Sequence, residues 1–181
     1  GMTIIEGHLF LNGKKPIQHR SSYGLGEVIK AALDNHTEHL VISLGGIGSF
    51  DGGAGMLQAL GARFYDDEAQ IVDMRKGAYL IKYIRRIDLS GVHPQLTKVN
   101  IQLMSDFSSR LYGKKSEIMQ TYESLDLSQN EAAEIDNLIW YFSELFKNEL
   151  KIAMGPIERG GAGGGIAAVL NSLYQAEILT S

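Results

Sequence analysis

Two carboxylates stand out among the residues that could do chemistry, Asp51 and Asp106. Each follows a short apolar run with the length and β-branched content of a buried strand, Leu40 to Leu44 and Val99 to Met104. A carboxylate just past a strand end can bind Mg²⁺ or take a proton from a hydroxyl during phosphoryl transfer. The same residue can equally cap a helix or close a turn.

Asp51 lies inside an unusual stretch. Six of the eleven residues from Gly45 to Gly55 are glycine, and each weakens regular structure by about 0.5–1 kcal/mol relative to alanine. A chain carries such residues where backbone must turn sharply or approach something closely. A helix entered at about Gly53 would turn its unpaired N–H groups toward the loop and favour phosphate or carboxylate there. Gly45, Gly46, Gly48, Ser49, Gly52 and Gly53 are therefore the expected anion cradle. A tight turn between strand and helix, with Asp51 as N-cap, fits the same residues. A second cluster, Gly160 to Gly165, opens a final helix at Ile166. If the two helix starts face one cleft, Gly161, Gly163 and Gly164 join the cradle; otherwise one cluster is a packing device.

Several common chemistries are excluded. Neither glycine cluster is followed by the Gly-Lys-Ser/Thr of a Walker loop, and the third position of a Rossmann glycine pattern falls on Asp51. Of the five histidines only His36 and His39 lie close together, with no carboxylate in zinc-protease register, so no metal site is expected. Ser22 and Ser49 lack an evident base partner, and no Gly-x-Ser-x-Gly is present. The absence of cysteine removes disulfides, thiolate ligands and a thiol nucleophile together.

The elements that must position these residues alternate between strand and helix. Asn12-Gly13 between extended pieces signals a β-hairpin over Thr3 to Ile17. Val28, Ile29, Ala32 and Leu33 share one helical face ending near Asp34. After the glycine loop a helix over Met56 to Leu60 closes at Gly61, strands follow at Ala62 to Tyr65 and Gln70 to Met74, and Ile87 to Gly91 reads as a loop. The segment from Ser105 to Gly113 has no periodicity and carries Asp106, Ser108, Ser109 and Arg110, which suits either a ligand-contacting or a plain loop. Ser128 to Glu131 is a capping-box pattern for a helix whose apolar stripe runs from Ile135 to Phe146 and on to about Leu150. That stripe predicts a homodimer if a monomer leaves it exposed.

The pattern gives an α/β fold with a layered mixed sheet and helices, in one domain over residues 2–181, Gly1 being read as a remnant before the natural start. The chain is 44% hydrophobic and 21% charged with a net charge of -4. That balance disfavours nucleic acid and anionic membrane as partners. The basic pairs Lys14-Lys15, Arg85-Arg86 and Lys114-Lys115 read as solvated corners. A cytoplasmic protein with a small-molecule carboxylate or nucleotide as ligand is the expectation.

Three segments resemble the bacterial glycerate kinase family. Ser22 to Glu27 is similar to its S-Y-G-x-G-E, Asp51 to Gly61 to its D-G-G-A-G-M-x-Q-A-L-G, and Ile87 to Ser90 to its I-D-L-S. Gly161, Ala162, Gly164 and Gly165 resemble its G-A-G-A-A-G-G, and Asp106, Leu111 and Gly113 fit parts of C-D-V-x-N-P-L-x-G. The resemblance implies the second, inserted α/β domain of a glycerate kinase standing alone, with the active site between it and a partner domain that supplies the missing half. It also implies ATP and Mg²⁺ as the cofactors of glycerate phosphorylation, Asp51 and Asp106 as catalytic groups, and the glycines as the phosphate cradle. The chain departs from the family pattern at Ile47 and Phe50, where a serine and an asparagine are expected, at Ser109-Arg110 in place of N-P, and across Thr121 to Asp126 in place of F-G-P-Q-K-G. A catalytically silent domain that binds a small acid or a protein remains the alternative.

Overall fold

The computed structural model describes residues 1–7 and 15–180. Four parallel strands form the main sheet in the order β1 (Met2–Glu6), β2 (His39–Ser43), β5 (Asn100–Met104) and β6 (Glu177–Leu179). Ile5 pairs with Ile42 and Ile42 with Leu103, so one row of apolar side chains crosses three strands at the same level. Alternate residues Leu40, Ile42, Ile101 and Leu103 are buried while those between them are half-buried or exposed, the period-2 signature of a sheet with one fully covered face. Antiparallel pairing also occurs, but in a separate two-stranded ribbon of β3 (Arg63–Tyr65) and β4 (Arg86–Asp88).

Helix α1 (Tyr23–Asp34) connects β1 to β2, and α2 (Ala54–Ala59) packs against α1. Then come α3 (Glu117–Thr121), α4 (Gln129–Leu150) and α5 (Ile166–Tyr174). Helix α4 starts where its capping box requires, with the Ser128 hydroxyl accepting from the Glu131 N–H and the Glu131 carboxylate from the Ser128 N–H. Its stripe Ile135, Ile139, Phe142 and Phe146 is buried within the chain. Phe142 stacks edge-on with both Phe64 and Phe146 at centroid distances of 5.8 and 4.9 Å. The condition for a dimer through that stripe is therefore not met; Trp140, on another side of the helix, is 46% exposed.

Three local expectations change. Gln70 to Met74 is not a strand: Ile71 makes an isolated bridge to Tyr65, and Met74–Lys76 forms a 3₁₀ turn. Two backbone bonds flank that bridge, from the Asp66 N–H to the Gln70 carbonyl at 2.9 Å and from the Val72 N–H to the Phe64 carbonyl at 2.8 Å, and beyond them the Gln58 side-chain amide takes over, donating to the Val72 carbonyl at 2.8 Å and accepting from the Met74 N–H at 2.7 Å. Ile87 lies in β4 rather than in a loop, because β3 supplies a ladder that local sequence does not announce. Residues 2–6 pair in parallel with β2, and the Asn12-Gly13 turn lies outside the described residues.

Candidate functional site

Parallel order brings the loops that follow β2 and β5 to the same end of the sheet, the end where ligands bind in open α/β folds. The first of these loops contains Asp51, which is 0% exposed. Its Oδ2 accepts from the Ser22 N–H at 2.8 Å, the Ser22 hydroxyl at 2.9 Å and the Gly55 N–H at 3.1 Å, and its Oδ1 accepts from the Gly53 N–H at 3.1 Å. The Ser22 hydroxyl in turn accepts from the Met56 N–H at 2.8 Å. Ser22 is the N-cap of α1 and Gly53 the N-cap of α2, so one carboxylate ties two helix starts together. Burial pushes the Asp51 carboxyl up, while its four donors favour the charged form and pull against that.

The second glycine cluster meets the first directly. The Gly52 N–H donates to the Gly164 carbonyl at 3.0 Å. A Cβ at Gly164 would lie 2.0 Å from the Ser49 carbonyl oxygen, and one at Gly165 would lie 2.7 Å from the Gly52 Cα. At Gly161 it would lie 2.0 Å from the Arg110 carbonyl oxygen, and at Gly163 it would touch Ile47 and Leu44. The missing side chains are thus replaced by backbone and core of the same chain.

This cluster also holds a carboxylate of the chain itself. Glu117 Oε2 accepts from the Gly164 N–H at 3.2 Å, and the Gly163 N–H supports the same carboxylate. Burial dominates these bonds and pushes the Glu117 carboxyl up. A raised acid favours the protonated folded state, so this contribution is complete below the ordinary value of 4.5 and is lost as pH rises through the folded value. Glu117→Gln keeps an acceptor and removes the charge. Thermal melts from pH 4 to pH 8 should show near-equal stability at the acid end and an advantage of a few degrees for the glutamine variant above it. Equal stability at every pH would refute this account.

The residues expected to bind ligand fall into two groups. Gly45 and Gly46 are exposed and Gly48 is half-buried, whereas Ser49, Gly52, Gly53, Gly161, Gly163 and Gly164 are enclosed. Asp106 is exposed just past β5, so the two candidate carboxylates occupy opposite environments. Ile47 and Phe50 are only 5% and 3% exposed, packed into the core. The hydroxyls of Ser49 and Ser109 are buried with no hydrogen-bond partner among the described residues, an arrangement that calls for an explanation wherever it occurs. Ser109 Oγ lies 2.9 Å from the Cβ that Gly161 lacks, so it borders the second cluster. Among the described residues no group of three His, Cys, Asp or Glu side chains could hold a metal ion, and no helix is long and apolar enough to cross a membrane.

Ser22 and Glu117 are the participants that sequence reasoning leaves out of the site, while Ser109 enters it only as one residue of an ambiguous loop. Ser21-Ser22 ahead of Tyr23 does signal a helix start, but nothing local pairs it with Asp51. Glu117 stands in a short helix without an apolar period, and nothing near it in sequence points to Gly164.

The model of the glycerate kinase family matches residues 2–181. The chain is 30% identical over 172 residues to a glycerate kinase of Halalkalibacterium halodurans, a match spanning 95% of this chain and 45% of that one. It is 30% identical over 158 residues to glycerate 2-kinase of Escherichia coli K12, spanning 87% of this chain and 41% of that one. A solved chain from Salmonella typhimurium LT2, assigned as glycerate kinase 2, aligns with a TM-score of 0.89 at 27% identity, over 98% of this chain and 49% of that one. The chain spans less than half the length of the curated relatives it matches.

Proposed function

Because the chain belongs to the glycerate kinase family, we propose that it forms one domain of a unit that phosphorylates a hydroxyl of glycerate with ATP and Mg²⁺. The observation that carries this reading is the Asp51-to-Gly61 turn and helix, which keeps the family motif at the ligand-binding end of a parallel sheet. Asp51 acts here by positioning: it holds the α1 and α2 starts so that the exposed Gly45-Gly46 backbone is presented in a fixed shape. Asp106, exposed past the end of β5, is the carboxylate that faces metal or substrate hydroxyl. A single carboxylate fits Mg²⁺ that arrives with nucleotide, since the phosphates supply much of its oxygen shell. The ion would neutralise charge on the phosphoryl group being transferred. The unpaired hydroxyls of Ser49 and Ser109 are further donors for an anion drawn into the same end of the sheet.

A partner domain of the kind the longer relatives carry outside the matched region would supply the opposite wall. A coupled assay with ATP, Mg²⁺ and D-glycerate is expected to show turnover when that domain, taken from a relative, is added to this chain. No turnover from the chain alone or from the mixture would overturn the proposal.

A second reading, a silent binding domain, is favoured by the burial of Ile47 and Phe50 where the family carries polar residues. Calorimetric titration with ATP and with D-glycerate separates the two. Micromolar binding of either supports a ligand role, and no binding together with a stable dimer supports assembly.

A further inference from the structure

Outside the glycine loops, three distant segments build a second concavity. Ser108 and Arg110 from the loop after β5, Lys115 and Gln120 around the start of α3, and Glu158 and Arg159 between α4 and α5 line a hollow of about 610 Å³. Three of these side chains are cations and one is a carboxylate, in a chain whose net charge is -4. No carboxylate among the described residues forms an ion pair with Arg110, Lys115 or Arg159, and Glu158 is no exception. Cations left uncompensated repel one another, so gathering them on one hollow has a cost that a bound anion would remove.

The hollow is also held in shape. One Arg110 guanidinium nitrogen donates to the Pro156 carbonyl at 3.2 Å, and the Arg110 backbone N–H donates to the Lys115 carbonyl at 2.9 Å. Gln120 Nε2 donates to that same carbonyl at 2.6 Å. These bonds join all three lining segments. The remaining N–H groups of the Arg110 side chain, the whole Arg159 guanidinium and the Lys115 ammonium have no protein partner among the described residues.

We propose that this hollow binds a small molecule carrying phosphate groups, with Arg110, Arg159 and Lys115 as its charge partners and Ser108 as a hydroxyl ligand. Planar guanidinium forks match phosphate oxygens two at a time. A single exposed ion pair contributes little, so a monocarboxylate gains too little here to be held. An anion with several charges engages all three cations at once. The site stands without the kinase reading, because nothing in it requires catalysis.

Calorimetric titration of the chain with inorganic pyrophosphate in low-salt buffer tests it. Binding in the submillimolar range is expected, weakening by about tenfold or more at high ionic strength, because exposed charges are screened there. Arg110→Ala and Arg159→Gln should each weaken binding by about tenfold, and Lys115→Gln by several-fold. Lys115→Gln removes only an unpaired ammonium on the surface, so its melting temperature should match that of the parent and its loss of binding reports on the hollow alone. No binding at millimolar pyrophosphate overturns the proposal, as does undiminished binding in all three folded variants. Acetate or D-glycerate bound as tightly as pyrophosphate overturns the assignment to phosphate. No turnover is measured, so failure here is distinct from failure of the kinase assay.

Discussion

Asp51→Ala is expected to destabilise the protein by on the order of 5 kcal/mol, enough to leave much of it unfolded at room temperature. The change strands the Ser22, Gly53 and Gly55 N–H groups and the Ser22 hydroxyl, all fixed on a site that no water reaches. Each buried donor left unpaired costs about 1–3 kcal/mol, and the network is one unit, so the losses do not simply add. Asp51→Asn keeps the shape and one acceptor but turns an amide NH₂ toward donors, and about 2–3 kcal/mol should be lost. Urea denaturation followed by circular dichroism measures both. An alanine variant within about 1 kcal/mol of the parent would show that the four bonds do not hold the loop. Loss of activity in an Asp51 variant diagnoses chemistry only after the fold has been shown intact.

Gly164→Ala should lower stability by more than about 3 kcal/mol, while Gly45→Ala should change it by less than about 1 kcal/mol in either direction. Gly164 has φ of 65°, a conformation that carries a cost for any side chain, and its added Cβ would enter the Ser49 carbonyl at 2.0 Å. Neither obstacle can be relieved without separating the two glycine clusters, which also share the Gly52–Gly164 hydrogen bond. Around Gly45 no atom of the described residues lies within 4 Å of the same added atom. The paired measurement therefore separates glycine as a packing requirement from glycine as open backbone facing solvent or ligand. A mild effect at both positions would refute the interlock; a severe effect at both would refute the openness of Gly45.

Much of this architecture is written in local patterns. The run at Leu40 to Leu44, the glycine turn, the capping box at Ser128 and the stripe from Ile135 each announce an element, and β2, α2 and α4 stand where those signals place them. Elements whose existence depends on a distant partner are not announced. Strand β6 has three residues and exists because β5 offers it an edge, while β4 exists because β3 does. The stretch at 70–74 has strand-like composition yet makes only one bridge to β3 before its backbone turns to the Gln58 side chain, which no periodicity reveals.

The candidate site divides along the same line. The glycines and the two aspartates are visible as residue types in a suggestive order, but their surroundings are not. Asp51 as a cap on the N–H groups of the following helix is legible in the sequence, but its reach back to Ser22 is not, and nothing there indicates that Glu117 takes the Gly164 N–H. Lys114-Lys115 reads as a solvated corner, and Lys115 is indeed exposed, yet folding brings it to one hollow with Arg110 and Arg159. A charge cluster assembled from three segments leaves no local trace.

The two halves of the glycine interlock differ in how soon the chain can complete them. Every partner of Asp51 lies between Ser22 and Gly55, so that network can close as soon as α1 and the first loop have met. The seat of Gly52 against Gly164 needs a segment near the far end of the sequence, and a long loop must close before that contact stabilises anything. The carboxylate anchor of the glycine loop is therefore local in the chain, whereas the loop's final shape rests on a contact that ties it to the far end of the sequence.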